Sequence, residues 1–487
     1  MFKRRSKFWL QGNRKSEWKT REEQQQAHQL FLEKYLQVLM AVLPGILLDL
    51  DKIPDPRDPK KIKHRLTVVL FYGIVIFALG FDSRRDANRN GTSVSILEIF
   101  RSVFPQINSS PHMDTVARLL EALSVKDIVR VHMNEVKKLI RNKKFRRLIV
   151  DGCYVVAVDG TQKWSGTWMF DPRLLTRTHR DGHVTYHVYV VEASLVGPQG
   201  IYIPLISEFC ENDPDMGEQT KQDCELKAFY RLAGRLKSLF PRQRLLIVAD
   251  GLYPKGPVME LCITNGWDFM MVLPNSVLYR VWKMARAIRD GKTRDAQPNQ
   301  RLVNEWGDHR QEFWWANRIV YTWKAPDGTS HHTLVHVVVC HETWQEEESK
   351  HTGRKKGLQG VLVTKERTWA WISAKPITSK NVLERCNDAG RARWNIEEGI
   401  LTEKKRGYNY EHMFSYDWNG MQCWHVLMHL GHLINILVLH SKELWETAKR
   451  KGIKGLWDIL KDCVRGNWAD TSKLANLPAN PRLVLVI

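Results

Sequence analysis

Two aspartates, Asp159 and Asp250, directly follow short apolar runs at 154–158 and 245–249, and each precedes a glycine. Apolar runs of this length predict buried strands. Carboxylates at strand ends are held at the rim of a sheet, where two of them can share hard cations through oxygen ligands. Asp-Gly after a strand is also an ordinary turn signal, and for either pair alone a turn is the simpler interpretation.

A third carboxylate, Glu397, lies on a predicted helix. Arg393, Glu397 and Lys404 are spaced by four and seven residues, so they share one helix face. Beside the two aspartates, this face suits a site that holds metal and a phosphodiester together. The alternative is a solvated face with an ion pair between Arg393 and Glu397, although the apolar neighbours of Glu397 weigh against it.

Two carboxylates compete for these roles. Asp151 also follows an apolar run, but the strand before Asp159 is longer and its motif continues into Thr161. Glu398 points about 100° away from the face shared by Arg393 and Lys404. We therefore expect Asp159 and Glu397 to form the site.

Histidines recur at short intervals in two places. His425, His429 and His432 share one face of a predicted helix, and His179, His183 and His187 lie on or before a predicted strand. The strand set is too widely spread for a single ion. The helix set has the spacing for zinc but lacks an accompanying cysteine or carboxylate, so packing or DNA-facing histidines are the favoured interpretation.

The chain divides by pattern into five parts within a multidomain α/β protein. Residues 1–148 read as helices separated by basic and proline-rich joints, and 149–274 as three strands, a helix and a strand, the order of a ribonuclease H-like core. Residues 275–375 form a β-rich insertion, 376–415 the second part of the core with the Glu397 helix, and 416–487 a helical C-terminal region.

Several local boundaries follow from the same patterns. A helix is predicted from 22 to 43, ending before Pro44, and another from 113 to 139. The first strand of the core should end at Asp159, and the Glu397 helix should run unbroken from Ser379 to about Lys405. The apolar run 66–81 predicts a buried helix, since it is shorter than a membrane span.

Composition indicates a polyanionic partner. Lysine plus arginine number 74 against 53 acidic residues, which gives a net charge of +21. The eight cysteines form no CxxC pair, which argues against a zinc finger or a disulfide framework, and the N-terminus has no apolar signal core. We expect a cytoplasmic protein without membrane attachment.

The motifs resemble those of DDE transposases of the bacterial insertion-sequence type. These relatives carry Tyr, two residues, Arg, three residues, Glu, six residues and Lys on the helix of the catalytic Glu, and Arg393, Glu397 and Lys404 match that spacing. Gly390 stands at the Tyr position. Segments 159–161, 250–253 and 407–412 also match the pattern, and the resemblance covers about 150 to 415.

The resemblance implies a two-metal mechanism. Asp159, Asp250 and Glu397 would hold two Mg²⁺ ions roughly 3.5–4 Å apart, with Mn²⁺ able to substitute. First-strand cleavage is then a hydrolysis, and strand transfer is a transesterification by the freed 3′-hydroxyl. Arg393 and Lys404 would neutralise or orient nearby phosphates.

The expected partner is double-stranded DNA, as terminal inverted repeats and as target. The N-terminal region would bind the ends, and pairing of two ends implies a homodimer at the nucleoid of a bacterium.

Two interpretations are open for the tryptophans of the insertion. They are either part of the sheet core, or one of them stacks on a flipped base. Basic clusters at 3–7, 60–65, 137–147 and 354–356 are expected phosphate contacts. The named candidates are Lys60, Lys61, Lys63, Lys143, Lys144, Arg146 and Arg147 for phosphate, and Trp314, Trp315 and Trp323 for stacking.

Two other functions remain open from the sequence. One is a ribonuclease H-fold nuclease that cleaves without strand transfer, against which the β-rich insertion and the Arg-Glu-Lys helix argue. The other is a DNA-binding remnant of a transposase. The presence of all three carboxylates argues against decay, and Gly390 argues slightly for it.

Overall fold

The computed structural model describes residues 18–213, 222–293, 300–351, 358–465 and 481–486. Within these ranges the chain is a multidomain α/β protein with twelve α-helices and one 11-stranded mixed sheet. The basic clusters predicted at 3–7 and 354–356 lie outside the described residues.

The N-terminal and C-terminal regions are helical, as predicted, and they pack on each other. The central helix is α11, which contacts α1, α2, α5, α6 and α12. The helices of these regions are α1 (Arg21–Leu50), α2 (Leu66–Ala78), α3 (Arg84–Asn90), α4 (Val94–Val103), α5 (Met113–Ala122), α6 (Val125–Arg141), α11 (Trp418–Leu439) and α12 (Trp445–Arg465).

Two predicted helix boundaries are wrong. Helix α1 does not end before Pro44 but continues to Leu50, because Leu43 and Ile46 on either side of the proline are buried and keep the segment packed. The helix predicted over 113–139 is two helices, since the chain turns after α5 and α6 begins behind Ser124.

Three apolar helices run through this helical part. Helix α2 is buried along nearly its whole length, as the sequence predicts for a core helix. By length and composition alone, α1 and α11 could also cross a membrane, with 50% and 89% of their most apolar windows buried. A core helix of a soluble protein passes the same test.

The sheet is built from eleven strands, with three helices between them. Helices α7 (Glu225–Leu239), α8 (Gly256–Thr264) and α9 (Tyr279–Arg289) connect or follow its strands. The strands are β1 (Ile149–Val150), β2 (Cys153–Gly166), β3 (Leu175–Thr178), β4 (Val184–Gly197), β5 (Ile201–Phe209), β6 (Leu245–Ala249), β7 (Asp268–Val272), β8 (Arg301–Trp306), β9 (His309–Lys324), β10 (Ser330–His351) and β11 (Leu358–Ser373).

One half of the sheet has the order β5-β4-β2-β6-β7. Strand β4 pairs antiparallel with both β5 and β2, whereas β6 runs parallel to β2 and to β7. Every residue of β6 is buried, as expected for a central parallel strand covered on both faces. The short strand β1 pairs with β2, and β3 pairs with the first residues of β4.

The other half is an antiparallel meander of β8, β9, β10 and β11. It continues the same sheet, because β11 pairs with β7 through the register Trp371↔Val272. Strands β9 and β10 form a long hairpin that turns at 325–329, which agrees with the β-rich segment predicted for 275–375. The segment 301–373 is therefore joined to the first half by backbone hydrogen bonds.

Glu397 lies on α10 (Trp394–Lys405), and the helix predicted from Ser379 is not continuous. It passes through a π-helical stretch, Glu384–Gly390, and a 3₁₀ turn, Arg391–Arg393, before α10 begins. Gly390 is buried against the Trp371 indole, and a Cβ there would lie 2.8 Å from Nε1 of that ring. The tyrosine of the resembling family therefore has no room in this packing.

A pair of glycine substitutions tests this packing. We expect Gly390→Ala to lower the free energy of unfolding by about 1–3 kcal/mol, because the indole must shift to admit the methyl group. Gly234→Ala, in α7 with no atom within 4 Å of the added Cβ, should raise it by up to about 1 kcal/mol. Urea titrations followed by circular dichroism measure both, and stabilisation by Gly390→Ala would contradict the packing described.

Candidate functional site

Asp159 and Asp250 lie side by side on two parallel strands. The predicted strand end at Asp159 is wrong, because β2 continues to Gly166, but its parallel pairing with β6 ends at Val158↔Ala249. Both aspartates therefore follow the last paired residues at the same level of adjacent strands, which lie about 4.8 Å apart. Asp250 directly follows β6, as the sequence predicts.

The structure brings Glu397 to these two aspartates from α10, which packs on β2 and β4. The pKa of Asp159 is raised to about 7, first by burial and then by the negative charges of Glu397 and Asp250, while Arg393 opposes the rise. Burial is the larger cause of the raised pKa, and the acidic neighbours add to it. The three predicted carboxylates thus form one electrostatic site.

A fourth carboxylate, Glu225, stands beside them and was missed by the sequence analysis. The hydroxyl groups of Tyr189 and Tyr253 donate to its Oε2 and Oε1 at 2.8 and 2.9 Å, and its charge also raises the pKa of Asp159. Gly160 makes room for it, since a Cβ there would collide with Glu225 and lie 2.6 Å from the Tyr189 hydroxyl oxygen. Glu225 is the first residue of α7, and because acidic residues are common in the first turn of a helix, the sequence does not distinguish it as a site residue.

Asp159, Asp250 and Glu397, unlike Glu225, each have one oxygen engaged and one oxygen free of hydrogen bonds from the described residues. Backbone N–H groups of Gly160 and Leu252 donate to Oδ1 of Asp159 and Asp250 at 3.0 and 2.8 Å. Oε1 of Glu397 is engaged by Arg393. The free oxygens, the all-oxygen donor set and the crowded negative charge fit hard divalent cations such as Mg²⁺.

Arg393 forms the ion pair that the sequence analysis treated as the alternative. Its Nη1 lies 2.7 Å from Oε1 of Glu397, its side chain is only 6% exposed, and the guanidinium packs on the Trp394 ring, with Cζ 4.5 Å from the ring centroid. In this arrangement Arg393 orients the Glu397 carboxylate. Its contact with phosphate stays a prediction.

Lys404 lies next to the strand that carries Asp159. Its Nζ donates to the Gln162 carbonyl at 2.9 Å, three residues beyond Asp159, and is 3.1 Å from Oε1 of Glu411. The ammonium group is therefore fixed near the carboxylates by β2 and by the turn after α10.

The two rival carboxylates lie apart from this site. Asp151 accepts from Nη1 of the buried Arg385 at 2.7 Å and also lies 3.5 Å from Lys375, so it belongs to a structural ion-pair cluster. Glu398 is exposed on the outer side of α10.

The basic residues predicted to contact DNA are mostly exposed. Six of the seven are exposed, namely Lys60, Lys61, Lys63, Lys143, Arg146 and Arg147. Two of the seven contact the C-terminal segment, since Lys144 donates to the Leu483 carbonyl and Arg147 donates to the Val486 carbonyl at 3.2 Å.

The three tryptophans proposed for base stacking all pack against other side chains of the protein. Trp315 is buried in the sheet core, which was the alternative interpretation. Trp314 is half-buried under the guanidinium of Arg289, and the Trp323 ring stacks on His331 with 4.5 Å between centroids.

The structure brings the members of both histidine sets near one another. His179 and His183 stack at 4.5 Å in the hairpin between β3 and β4, and Nε2 of His179 and Nε2 of His187 each lie 2.9 Å from Oγ1 of Thr185. His425, His429 and His432 are all buried, which excludes direct DNA contact by these rings in this structure. They meet two buried carboxylates, Glu192 and Glu403, which the sequence analysis missed because they lie far away in the chain.

The raised pKa of Asp159 predicts a pH-dependent stability. Because the folded-state pKa is shifted from 3.8 to about 7, the metal-free protein loses stability as pH rises through this interval, and the full penalty is present at pH 8. In EDTA at pH 8, Asp159→Asn should raise the free energy of unfolding by roughly 1–4 kcal/mol. The gain should shrink toward pH 4.5, as urea titrations at several pH values would measure.

Asp181→Asn is the matched control for this prediction, because Asp181 is exposed on a hairpin. It should leave the free energy of unfolding nearly unchanged at both pH values. An Asp159→Asn protein less stable than the unaltered protein at pH 8 would contradict the charge crowding.

Comparison with known proteins points to the N-terminal helices. Residues 48–134 match the family model described as DDE_Tnp_1-associated, a domain that is found in DDE transposases. The matched stretch runs from the end of α1 into α6 and precedes the strands that carry the carboxylates. No curated protein matches the sequence. The match to the associated domain supports a transposase family for this chain.

Proposed function

We propose that this protein is a DNA transposase that cuts and joins DNA at a two-metal site formed by Asp159, Asp250 and Glu397. The observation that carries the proposal is the position of two aspartates directly after the last paired residues of adjacent parallel strands, with a glutamate supplied by α10. The associated domain at 48–134 supports the same function independently, because it is distant in sequence from the carboxylates.

The strand arrangement supports a ribonuclease H-like core. Strands β2, β4 and β5 follow one another as an antiparallel meander, and β6 and β7 are then added on the other side of β2, parallel to it. In this proposal β8 to β11 are the insertion that precedes the catalytic glutamate. The sheet thus places the two aspartates at its centre and Glu397 above them.

The protein side chains would act mainly by position and charge. Asp159, Asp250 and Glu397 would hold Mg²⁺, which would supply activation of the attacking oxygen and stabilisation of the leaving 3′ oxygen. Asp159, Asp250 and Glu397 provide the negative charge that retains it, and Arg393 fixes the orientation of Glu397. Lys404 adds positive charge beside the strand of Asp159, where a phosphodiester would lie.

The proposed reaction has two steps of the same kind. Water first attacks phosphorus at the element boundary and breaks the bond to the 3′ oxygen, leaving a 3′-hydroxyl and a 5′-phosphate. The 3′-hydroxyl then attacks a target phosphodiester, so one P–O bond forms as another breaks. Neither step needs a covalent protein intermediate, which is consistent with a site made of carboxylates.

The proposed partner is double-stranded DNA, both the terminal inverted repeats and the target. The exposed Lys60, Lys61 and Lys63 lie within the matched domain and would contact phosphates of the ends, as would Lys143 and Arg146. Pairing two ends calls for a homodimer on DNA. A basic chain with this partner would work in the cytoplasm at the bacterial nucleoid.

The test is cleavage and joining of a labelled DNA that carries the element's end and a flank, with Mg²⁺ and a target plasmid. Asp159→Asn, Asp250→Asn and Glu397→Gln should each lower the rate of cleavage by at least about 1,000-fold, because each removes a charge from the metal site. The unaltered protein should cut at the boundary and then join the freed end.

Asp151→Asn and Glu398→Gln are the control variants, since these carboxylates lie outside the site. Both should retain cleavage within about tenfold of the unaltered protein. Cutting without joining would assign the protein as a nuclease. Tight DNA binding without cutting in Mg²⁺ or Mn²⁺ would leave a non-catalytic remnant and overturn the proposal.

A further inference from the structure

A second cluster of metal-ligating side chains lies in the interior and shares no residue with the proposed catalytic carboxylates. Glu192 of β4, His425 and His429 of α11, and Glu403 of α10 are each at most 1% exposed. One ligand atom from each of Glu192, His425 and His429 lies within 4.8 Å of the other two. The cluster joins β4 to the two consecutive helices α10 and α11.

Several distances between these side chains are close to those around one ion. Nε2 of His425 lies 3.0 Å from Oε1 of Glu192, and Nε2 of His429 lies 3.9 Å from Oε2 of Glu192 and 3.6 Å from Oε2 of Glu403. Zinc bound to nitrogen and oxygen at about 2.0–2.1 Å places neighbouring ligands about 3.3 Å apart. Glu403 is not one of the three residues whose ligand atoms all lie within 4.8 Å of one another, so both His429 and Glu403 would move inward to complete a tetrahedron.

One buried ring nitrogen lacks the partner that burial normally requires. Nε2 of His429 makes no hydrogen bond to any described residue, and the two carboxylates nearest to it are beyond hydrogen-bond distance. A buried, unsatisfied imidazole nitrogen directed at two carboxylates costs free energy unless something lies between them. A cation at that point would satisfy the ring and both carboxylates together.

The surrounding side chains orient the four ligands. The Tyr410 hydroxyl donates to Oε1 of Glu192 at 2.8 Å, and the Ser207 hydroxyl donates to Oε2 of Glu192 at 2.6 Å. Nδ1 of His432 lies 2.7 Å from Oε1 of Glu403, which leaves Oε2 directed at His429. Fixed carboxylates of this kind are typical around metal centres.

We infer that Glu192, Glu403, His425 and His429 bind one structural Zn²⁺ ion. Two imidazoles with two carboxylates form a mixed nitrogen and oxygen donor set, which favours zinc over the all-oxygen cations Mg²⁺ and Ca²⁺. The ligand shell is closed by protein groups, as in structural rather than catalytic zinc sites. This site is separate from the proposed Mg²⁺ site and does not depend on the proposed function.

Zinc binding requires a defined rearrangement of protons. His425 offers the lone pair of Nε2, so its proton resides on Nδ1, which lies 3.4 Å from Nζ of the buried Lys163. On zinc binding Lys163 would release one proton to solvent, accept that hydrogen bond as the neutral amine and keep its contact with the Tyr410 carbonyl. Two carboxylates and one Zn²⁺ then leave the buried cluster with no net charge.

The positions of the ligands indicate that the ion would stabilise the contact between α10, the sheet and α11. Glu192 is paired across the sheet with Asp159, and Glu403 lies six residues after Glu397 on α10. An ion shared by these two glutamates would tie α10 to the strand next to the catalytic aspartate. The two histidines of α11 extend the same tie to the helical part of the protein.

The zinc content of the purified protein tests this inference directly. The background protein is the full-length chain with Asp159→Asn, Asp250→Asn and Glu397→Gln, which removes the proposed catalytic metal site. This protein would be stripped of metal with a chelator, exposed to Zn²⁺ and passed through a desalting column. We expect about one zinc per chain by mass spectrometry of the metal. Adding His429→Gln should weaken zinc binding by at least about 100-fold in chelator competition.

The matched control is His440→Gln, the same replacement in the residue after the end of α11, where the ring lies beside Trp445. It should retain the zinc. Where His429→Gln fails to fold, the isosteric Glu192→Gln replaces it, with circular dichroism as the criterion for folding. Co²⁺ in place of zinc should give the visible absorption of a tetrahedral site.

Two results would overturn the inference. Absence of retained zinc in the background protein would show that the cluster is a metal-free network of ion pairs. Equal zinc retention by the His429→Gln or Glu192→Gln protein and the background protein would place the ion elsewhere.

Discussion

The repulsion among half-buried carboxylates is the constraint on which the rest of this structure depends. Asp159, Asp250 and Glu397 are gathered at one level of the sheet, and the pKa of Asp159 rises because burial and its acidic neighbours disfavour its charge. Such a group is costly in a protein without a cation. The surrounding elements hold it in place: paired strands fix the aspartates, and the ion pair with Arg393 fixes the glutamate.

Residues that would not contact a substrate also help to fix the positions of the three carboxylates. Tyr189 and Tyr253 hold Glu225 beside the site, and Gly160 leaves the space that this carboxylate fills. On the other side, the interior cluster of Glu192, Glu403 and the histidines connects α10 to the sheet and to α11. The helical regions therefore contribute to the geometry of the site through packing, although they supply none of its three carboxylates.

Local features were predictable from the sequence, and features that depend on distant contacts were not. The apolar run 245–249 coincides with β6, since buried strands carry a continuous apolar signal. The end of β2 was misjudged because antiparallel pairing with β4 continues beyond Asp159, and no local pattern reports a partner strand. Glu225 and Glu192 were missed for the same reason, because only folding brings them to their partners.

The junction between β7 and β11 has a mechanical consequence. Since backbone hydrogen bonds run without a break from β5 to β8, the insertion cannot swing as a separate lobe about a hinge. In the proposed reaction, DNA that contacted β8–β11 would be held in a fixed orientation relative to the proposed site. Adjustment to successive substrates would then come from the DNA, which bends and unstacks.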